Sequence, residues 1–240
     1  MNKIIHLYAA FLAFLIISCG SAPQTMPSEG NPMQAPLRGR PQRQVPEKPE
    51  VSVLEPERAI PEIPEKIQAL PPEHIMGKGR VPLNKLTDFL LKNNPLAESD
   101  FVKNLAVFYI EEAAAEGVNY DVAFTQMCLE TGFLSYGGLV TPDMNNFCGL
   151  GSTGLPGPDG PERGLIFPDP RTGARAHIQH LKGYATEEPL NQELVDPRYR
   201  WVRLGAAPTI YGLAGTWAAD REYGNKLSSI MQRLYNFSFQ

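Results

Sequence analysis

Glu130 is the side chain in this sequence that is best placed to donate a proton. It follows a run of apolar residues, and Phe133, Leu134 and Tyr136 come just after it. An apolar surround and the negative end of a helix both raise the pKa of a carboxyl group, because both disfavour its ionised form. A carboxyl that stays protonated near neutral pH can supply the proton that a leaving oxygen needs when a glycosidic bond breaks. A solvated glutamate at a helix end is the alternative, and the local pattern alone favours it.

Asn145, Asn146 and Phe147 form a second candidate, a sugar-binding loop. Amide groups pair with hydroxyl and N-acetyl groups, and an aromatic ring stacks on the face of a pyranose. The same residues would equally suit an asparagine-stabilised turn with Phe147 buried in the core. Three further aromatic side chains carry the same two interpretations: Tyr136, Trp217 and Tyr223.

Two other patterns indicate neither a cofactor nor a metal. Residues 149–154 read GLGSTG, which satisfies the G-x-G-x-x-G pattern of dinucleotide sites, but LPGP follows where that site requires a helix. His177 and His180 lie three residues apart on a predicted helix, yet no nearby carboxylate or cysteine completes a set of metal ligands. We therefore expect no cofactor and no metal.

Cys128 and Cys148 flank the candidate acid in a way that allows a disulfide. Cys128 lies two residues before Glu130, and Cys148 lies in the Asn-Asn-Phe loop. In an oxidising compartment a disulfide would fix that loop to the helix that carries Glu130. Two small buried thiols are the alternative, and they would look identical in the sequence.

Apolar spacing predicts helices over about 83–90, 99–117 and 119–132, with Ser99 as the N-cap of the second. A glycine follows the last periodic residue of the second and third helices, as is typical of helix C-termini. This arrangement places Glu130 in the last turn of the third helix.

The second half of the domain begins with a stretch rich in glycine and proline, residues 137–164, which predicts a loop or β-hairpin. Further helices are predicted over 172–185, about 209–218 and about 222–236. The fold class predicted is therefore α+β: a mostly helical domain with one small β-hairpin element.

Two segments resemble the glucosaminidases of glycoside hydrolase family 73, which have a lysozyme-like fold. They are AFTQMCLETGFLSYGG and NNFCGLG, residues 123–138 and 145–151. In that family a helix of the form A-x-x-Q-x-x-x-E-[ST]-G carries the catalytic glutamate, which matches Glu130. The tail TWAAD with EYGNKL, residues 216–227, resembles the closing motif of the family and matches its active-site tyrosine to Tyr223.

The resemblance covers about residues 83–236 and departs from the family pattern at two places. Trp217 stands where the family more often has tyrosine, and the loop 152–164 is long in the region where some members carry a second carboxylate. The candidates for that second carboxylate are Asp159, Glu162 and Asp169. Asp169 could instead cap the next helix. Without a clear second carboxylate, the hydrolysis would either be inverting through a bound water or be assisted by the N-acetyl group of the substrate.

Residues 1–19 predict export and lipidation. Lys3 precedes an apolar run, residues 7–17, that is too short to span a bilayer as a mature helix. The run ends in a sequence that resembles the lipobox of bacterial lipoproteins, with Cys19 as the lipidated residue. A plain secretory signal is the alternative. Acyl chains on Cys19 would hold the protein on a membrane, so we expect an extracytoplasmic, periplasm-facing location.

Residues 20–78 predict a disordered tether between that anchor and a domain spanning residues 79–240. The stretch holds 12 of the 23 prolines and few large apolar residues, so burial cannot offset the entropy of ordering it. A docking motif for a protein partner is the alternative, but nothing in the sequence identifies such a partner.

These features predict a peptidoglycan hydrolase that cuts glycan strands after N-acetylglucosamine, with Glu130 as the general acid and Tyr223 beside it. The alternatives are a muramidase or lytic transglycosylase on the same fold, and a catalytically silent peptidoglycan-binding lipoprotein. The net charge of −4 and the lack of a basic cluster argue against a nucleic-acid partner.

Overall fold

The computed structural model describes residues 69–152, 156–157, 160–161 and 163–240 of the chain. Several predictions lie outside these residues: the signal peptide, the lipidation of Cys19, nearly all of the tether, and the candidate carboxylates Asp159 and Glu162. In the part that is described, no helix is both long enough and apolar enough to cross a membrane.

The described residues fold mainly into helices, as the apolar spacing predicts. The described residues form five α-helices: α1 (Leu83–Asn93), α2 (Ser99–Glu116), α3 (Tyr120–Thr131), α4 (Pro170–Ala185) and α5 (Tyr223–Phe239). Short 3-10 helices lie between them at Pro142–Met144, Tyr199–Trp201 and Ile210–Leu213. The prediction of a mostly helical domain is confirmed, and this architecture is consistent with a lysozyme-like fold.

Helix α2 is capped by a different residue from the one predicted. The Glu98 side chain accepts hydrogen bonds from the backbone N–H groups of Asp100, at 2.9 Å, and of Phe101. Ser99, the predicted cap, is instead the first helical residue, because the longer carboxylate of Glu98 already satisfies two free N–H groups. At the other end Gly117 adopts a φ of 74°, which confirms it as the helix stop.

Helix α3 is the central helix of the domain and carries Glu130. Asn119 caps its start by accepting from the N–H of Asp121 at 3.0 Å, and Gly132 ends it in a left-handed conformation. Nine of its 12 residues are buried, and it packs against α2, α4 and α5. A helix that is covered on all sides is held rigidly by packing, so its last turn provides a fixed base for Glu130.

The prediction of a helix over about 209–218 is wrong. Only a single 3-10 turn forms there, at Ile210–Leu213. The chain then turns at Gly215, which has a φ of 81°, a conformation that a helix cannot contain. This turn directs Trp217 back toward the end of α3.

Besides three isolated β-bridges, the described residues form two strands of two residues each, β1 (Pro156–Gly157) and β2 (Gly160–Pro161). They pair antiparallel, with Gly157 opposite Gly160. A larger hairpin element in this region stays a prediction.

Packing against the domain extends back to Ile75, which is fully buried. Its N–H donates to the carbonyl of Pro208 at 3.0 Å, and its carbonyl accepts from the N–H of Asn119 at 2.8 Å. These bonds tie the chain ahead of residue 79 to the start of α3. The limits predicted for the signal peptide and tether stay predictions.

Candidate active site

The turn after Glu130 has an unusual backbone. Phe133, Leu134 and Tyr136 adopt φ values of 57°, 62° and 55°, in the left-handed region that non-glycine residues rarely enter. Thr131 holds this turn: its hydroxyl accepts from the N–H of Leu134 at 2.9 Å, and its carbonyl accepts from the N–H of Tyr136 at 2.7 Å. The result is that Tyr136 lines the same cleft as Glu130.

The carboxyl group of Glu130 is held through one of its two oxygens. Oε1 accepts from Nε1 of Trp217 at 2.9 Å and from the hydroxyl of Tyr223. Oε2 lies on the side of Gly149, where a Cβ would stand 3.9 Å from it. Among the described residues only Oε1 has hydrogen-bond partners. The carboxyl is therefore fixed in orientation while Oε2 stays available to a ligand.

Burial raises the pKa of Glu130 from the ordinary value of 4.5 to about 7. The hydrogen bonds from Tyr223 and Trp217 act in the opposite direction, because they stabilise the carboxylate. Burial and the neighbouring carboxyl also raise the pKa of Tyr223 well above its usual value, so its hydroxyl stays protonated and donates. Glu130 thus exists in both protonation states near neutral pH, as a general acid must.

Glu130 opens onto a cleft of about 430 Å³, a volume within the usual range of small-molecule sites. The lining mixes apolar and polar side chains, which suits a sugar. The cleft is lined, besides Glu130, by residues that include Tyr136, Leu139, Val140, Asn146, Ser152, Asp220, Tyr223 and Lys226.

The Asn-Asn-Phe loop is structural, which corrects its interpretation as a set of sugar-contacting side chains. Asn146 is fully buried, and its amide bonds the carbonyls of Leu150 and Leu165 at 2.9 and 3.0 Å. Asn145 donates to a backbone carbonyl at 3.0 Å, and Phe147 lies in the core with no exposed surface. Their hydrogen bonds and burial leave these groups little to offer a ligand, so they shape the wall of the cleft.

Trp217 is also unavailable to stack on a sugar. It is only 6% exposed, and its ring packs against His177, His180 and Tyr184 at centroid distances of 5.6, 5.2 and 5.9 Å. Its N–H group points instead to Glu130. Of the aromatic candidates, Tyr136 is the one that is partly exposed in the cleft.

Asp220 is a carboxylate in this cleft that the sequence reasoning overlooked. Its Oδ2 lies 2.7 Å from Nζ of Lys226, and Oδ1 accepts from the N–H of Glu222 at 3.0 Å. The Lys226 ammonium holds the pKa of Asp220 below its ordinary value, so the group is ionised at neutral pH. The signal for it was present, since Asp220 ends the TWAAD motif three residues before Tyr223.

Asp169 is the N-cap of α4. Its carboxylate accepts from the N–H and the hydroxyl of Thr172, at 2.9 and 2.8 Å. This is the capping role considered from the sequence, and it removes Asp169 from the candidates for a second catalytic carboxylate.

Cys128 and Cys148 are both buried and both free in the structure, so the disulfide considered from the sequence is not formed in it. Burial raises the pKa of both thiols. Deep burial makes the two cysteines small apolar core residues, which was the alternative interpretation.

His177 and His180 bind different partners. His180 contacts the carboxylate of the buried Asp196 through Nδ1 at 2.6 Å. His177 is fully buried and contacts Tyr109 and Gln126. Within the ranges that the structure describes, no group of three or more histidine, cysteine or acidic side chains is arranged to hold a metal ion.

A family model described as Glucosaminidase, mannosyl-glycoprotein endo-beta-N-acetylglucosaminidase, matches residues 106–236. The chain belongs to this glucosaminidase family. It is therefore a glycoside hydrolase, an endo-β-N-acetylglucosaminidase, and at the level of the family its substrate is peptidoglycan. The resemblance stated from the sequence motifs is confirmed, and the matched residues of this glucosaminidase include Glu130, Trp217 and Tyr223.

A protein of Borreliella burgdorferi described as uncharacterized is 39% identical to this glucosaminidase over 164 residues. The match covers 68% of this chain and 78% of the relative. No solved structure matches the chain.

Proposed function

We propose that this glucosaminidase cleaves the β-1,4 bond that follows N-acetylglucosamine in peptidoglycan glycan strands, with Glu130 as the general acid. The observation that carries the proposal is the carboxyl of Glu130, which lines the cleft and whose pKa burial raises to about 7. A protonated carboxyl beside a sugar-sized cleft is the group that the departing oxygen of a glycosidic bond requires.

In the proposed reaction, Glu130 transfers its proton from Oε2 to the bridging oxygen as the bond to the anomeric carbon of N-acetylglucosamine breaks. The carboxylate that remains is stabilised by Tyr223 and Trp217, which already donate to Oε1. General acid catalysis of this kind contributes about 10²–10⁴-fold to the rate. Both donors are in place before the reaction, so no reorganisation is needed as the negative charge develops.

Substrate binding in this proposal falls mainly to Tyr136 and to the backbone wall at Gly149. Tyr136 is partly exposed in the cleft and offers a ring face and a hydroxyl. Asp220 is ionised but paired with Lys226, so it faces the cleft as part of an ion pair rather than as a free base.

The test is a digestion of purified peptidoglycan with the full chain, followed by borohydride reduction and mass spectrometry of the new end sugars. Reduced N-acetylglucosamine that is lost in Glu130→Gln supports the proposal. Glu188→Gln is the matched control, because Glu188 is exposed and outside the cleft, and it should retain activity. Reduced or anhydro N-acetylmuramic acid would assign the enzyme to the other bond, and binding without products would make it a silent binder.

The anomeric form of the fresh product distinguishes the two routes of attack. Proton NMR recorded during digestion reports it before mutarotation. A β-product indicates that the N-acetyl group of the substrate assists, and an α-product indicates direct attack by water with inversion.

We also propose that the enzyme is an extracytoplasmic lipoprotein anchored through Cys19, with the proline-rich stretch that follows it, ahead of the buried Ile75, as its tether. The lipobox-like sequence before Cys19 supports this. Labelling cells with a fatty-acid probe should mark the wild-type protein and not Cys19→Ala. Equal labelling of the two, or none of the wild type, would contradict the anchor.

A further inference from the structure

A buried hydrogen-bond network leads from the core to Glu130. The hydroxyl of Tyr109 contacts Nδ1 of His177 at 2.8 Å, and Nε2 of His177 contacts Oε1 of Gln126 at 3.0 Å. Nε2 of Gln126 lies 2.8 Å from the hydroxyl of Tyr223, which in turn contacts Oε1 of Glu130. We call Tyr109, His177, Gln126 and Tyr223 the buried network; all four are at most 5% exposed.

The chemistry of the groups fixes the direction of every bond in the buried network. A carboxylate only accepts, so when Glu130 is ionised Tyr223 must donate to it. The single proton of Tyr223 is then used, and its oxygen must accept from the amide N–H of Gln126. The carbonyl of Gln126 therefore faces His177 and needs an N–H on Nε2.

Neutral histidine carries one ring proton, so this requirement leaves Nδ1 of His177 as an acceptor for Tyr109. Burial, together with the neighbouring His180, lowers the pKa of His177 to about 3, which keeps the ring neutral at working pH. The network thus runs in one direction, with each member donating toward Glu130.

The reverse direction would leave a donor unpaired. In that arrangement the ring of His177 would donate to Tyr109, whose own O–H would then need another acceptor. Among the described residues the hydroxyl of Tyr109 has no hydrogen-bond partner apart from His177. A buried donor without a partner is costly, so the direction that donates toward Glu130 is favoured even when Glu130 is protonated.

We propose that Tyr109, His177 and Gln126 are positioning residues that hold Tyr223 as a permanent donor to Oε1 of Glu130, and so keep the acidic proton on Oε2. Reversal of the network would place that proton on Oε1, where it would point at Tyr223 and away from the cleft. The inference rests on the proposed role of Glu130 and names the residues that keep its proton on the productive oxygen.

Glu130 also faces titratable groups outside the buried network, and these bear on any pH measurement. Cys148 approaches it from the loop, and Tyr136, Asp220 and Lys226 line the same cleft. His177 faces His180 on its own helix. Among the described residues, the hydrogen bonds to Oε1 of Glu130 come from Trp217 and Tyr223, and of these two donors only Tyr223 belongs to the buried network. A change made within the buried network therefore acts on Glu130 through Tyr223.

The direct test is nitrogen-15 NMR of His177 in the full chain, followed while Glu130 is titrated. We expect the tautomer with hydrogen on Nε2 at pH values both above and below the pKa of Glu130. A switch to hydrogen on Nδ1 when Glu130 is protonated would overturn the proposal, because the network would then have reversed. The result does not depend on activity, so it stands or falls separately from the proposed function.

The functional test compares two matched substitutions, Gln126→Leu and Gln179→Leu. Both glutamines are fully buried and bonded on both sides, but Gln179 bonds the backbone at Glu193 and Val195, apart from the cleft. Gln126→Leu should lower kcat about tenfold with little change in KM, because Tyr223 loses its anchor while the cleft lining is untouched.

The same substitution should move the basic limb of the pH–kcat profile upward by about half a pH unit, since a weaker bond from Tyr223 stabilises the carboxylate less. Gln179→Leu should leave the limb in place. If Gln126→Leu unfolds the protein, His177→Leu and His177→Gln replace it. The glutamine, which retains an N–H near Nε2, should then lie closer to the wild type. Equal profiles for the members of either pair would overturn the proposal.

Discussion

Replacing Glu130 with glutamine should stabilise the protein at high pH. The reason is that burial raises the pKa of this carboxyl in the folded state to about 7, against 4.5 in the unfolded chain. Below pH 4.5 the group is protonated in both states and imposes no penalty. Between pH 4.5 and about 7 the unfolded chain ionises freely and the folded protein does not, so wild-type stability falls across that window.

The size of the effect follows from the same two values. Each pKa unit corresponds to about 1.4 kcal/mol, so the difference between 4.5 and about 7 gives on the order of 3 kcal/mol, an upper limit because Glu130 is partly exposed. Glutamine is uncharged at every pH and can still accept from Trp217 and Tyr223. Glu130→Gln should therefore match the wild type at pH 4 and exceed it by about 1–3 kcal/mol at pH 8.

Urea denaturation followed by circular dichroism at pH 4 and pH 8 measures this difference. Other groups titrate over the same range, but they do so in both proteins and cancel in the comparison. Glu188→Gln, at an exposed glutamate, should show the same offset from wild type at both pH values. An equal offset of Glu130→Gln at both pH values, or a lower stability of this variant at pH 8, would show that burial does not raise the pKa of Glu130.

Three further outcomes are expected. Trp217→Phe removes one donor to Glu130 and should move the basic limb of the pH–kcat profile on peptidoglycan upward by about one pH unit. An unmoved limb would contradict the hydrogen bond from Trp217 to Glu130. Asn146→Ala leaves buried carbonyl and N–H groups unpaired and should lower the free energy of unfolding by about 3 kcal/mol in urea; a loss of activity at unchanged stability would instead indicate direct sugar contact. Mass spectrometry of protein isolated without reductant should find Cys128 and Cys148 as thiols, and a bond between them would contradict the structure.

The sequence carries enough information to place Glu130. Its position follows from local signals, namely the apolar run of α3, the Asn119 cap and the Gly132 stop, and the family motif then identifies it. The approach of Trp217 and Tyr223 to one oxygen could not be predicted in this way. Those side chains lie 87 and 93 residues from Glu130, and only the packing of α5 on α3 and the turn at Gly215 bring them together.

The roles of Asn146 and Asp220 show why residue type alone misleads. Asparagine suits a sugar and a tight turn equally well, and only the four hydrogen-bond partners of the buried Asn146 decide between them. Asp220 lies within the quoted motif, but its place in the cleft depends on Lys226, one turn into α5. Likewise, residue type does not predict the left-handed conformations of Phe133, Leu134 and Tyr136, because bonds from Thr131 hold that turn.

A carbon-13 NMR titration of the side-chain carboxyl of Glu130, assigned by its absence in Glu130→Gln, measures the pKa of this group directly. We expect a midpoint near pH 7 that coincides with the basic limb of the activity profile on peptidoglycan. A midpoint near 4.5, the value of a solvated glutamate, would contradict the claim that burial keeps Glu130 protonated for its role as the acid.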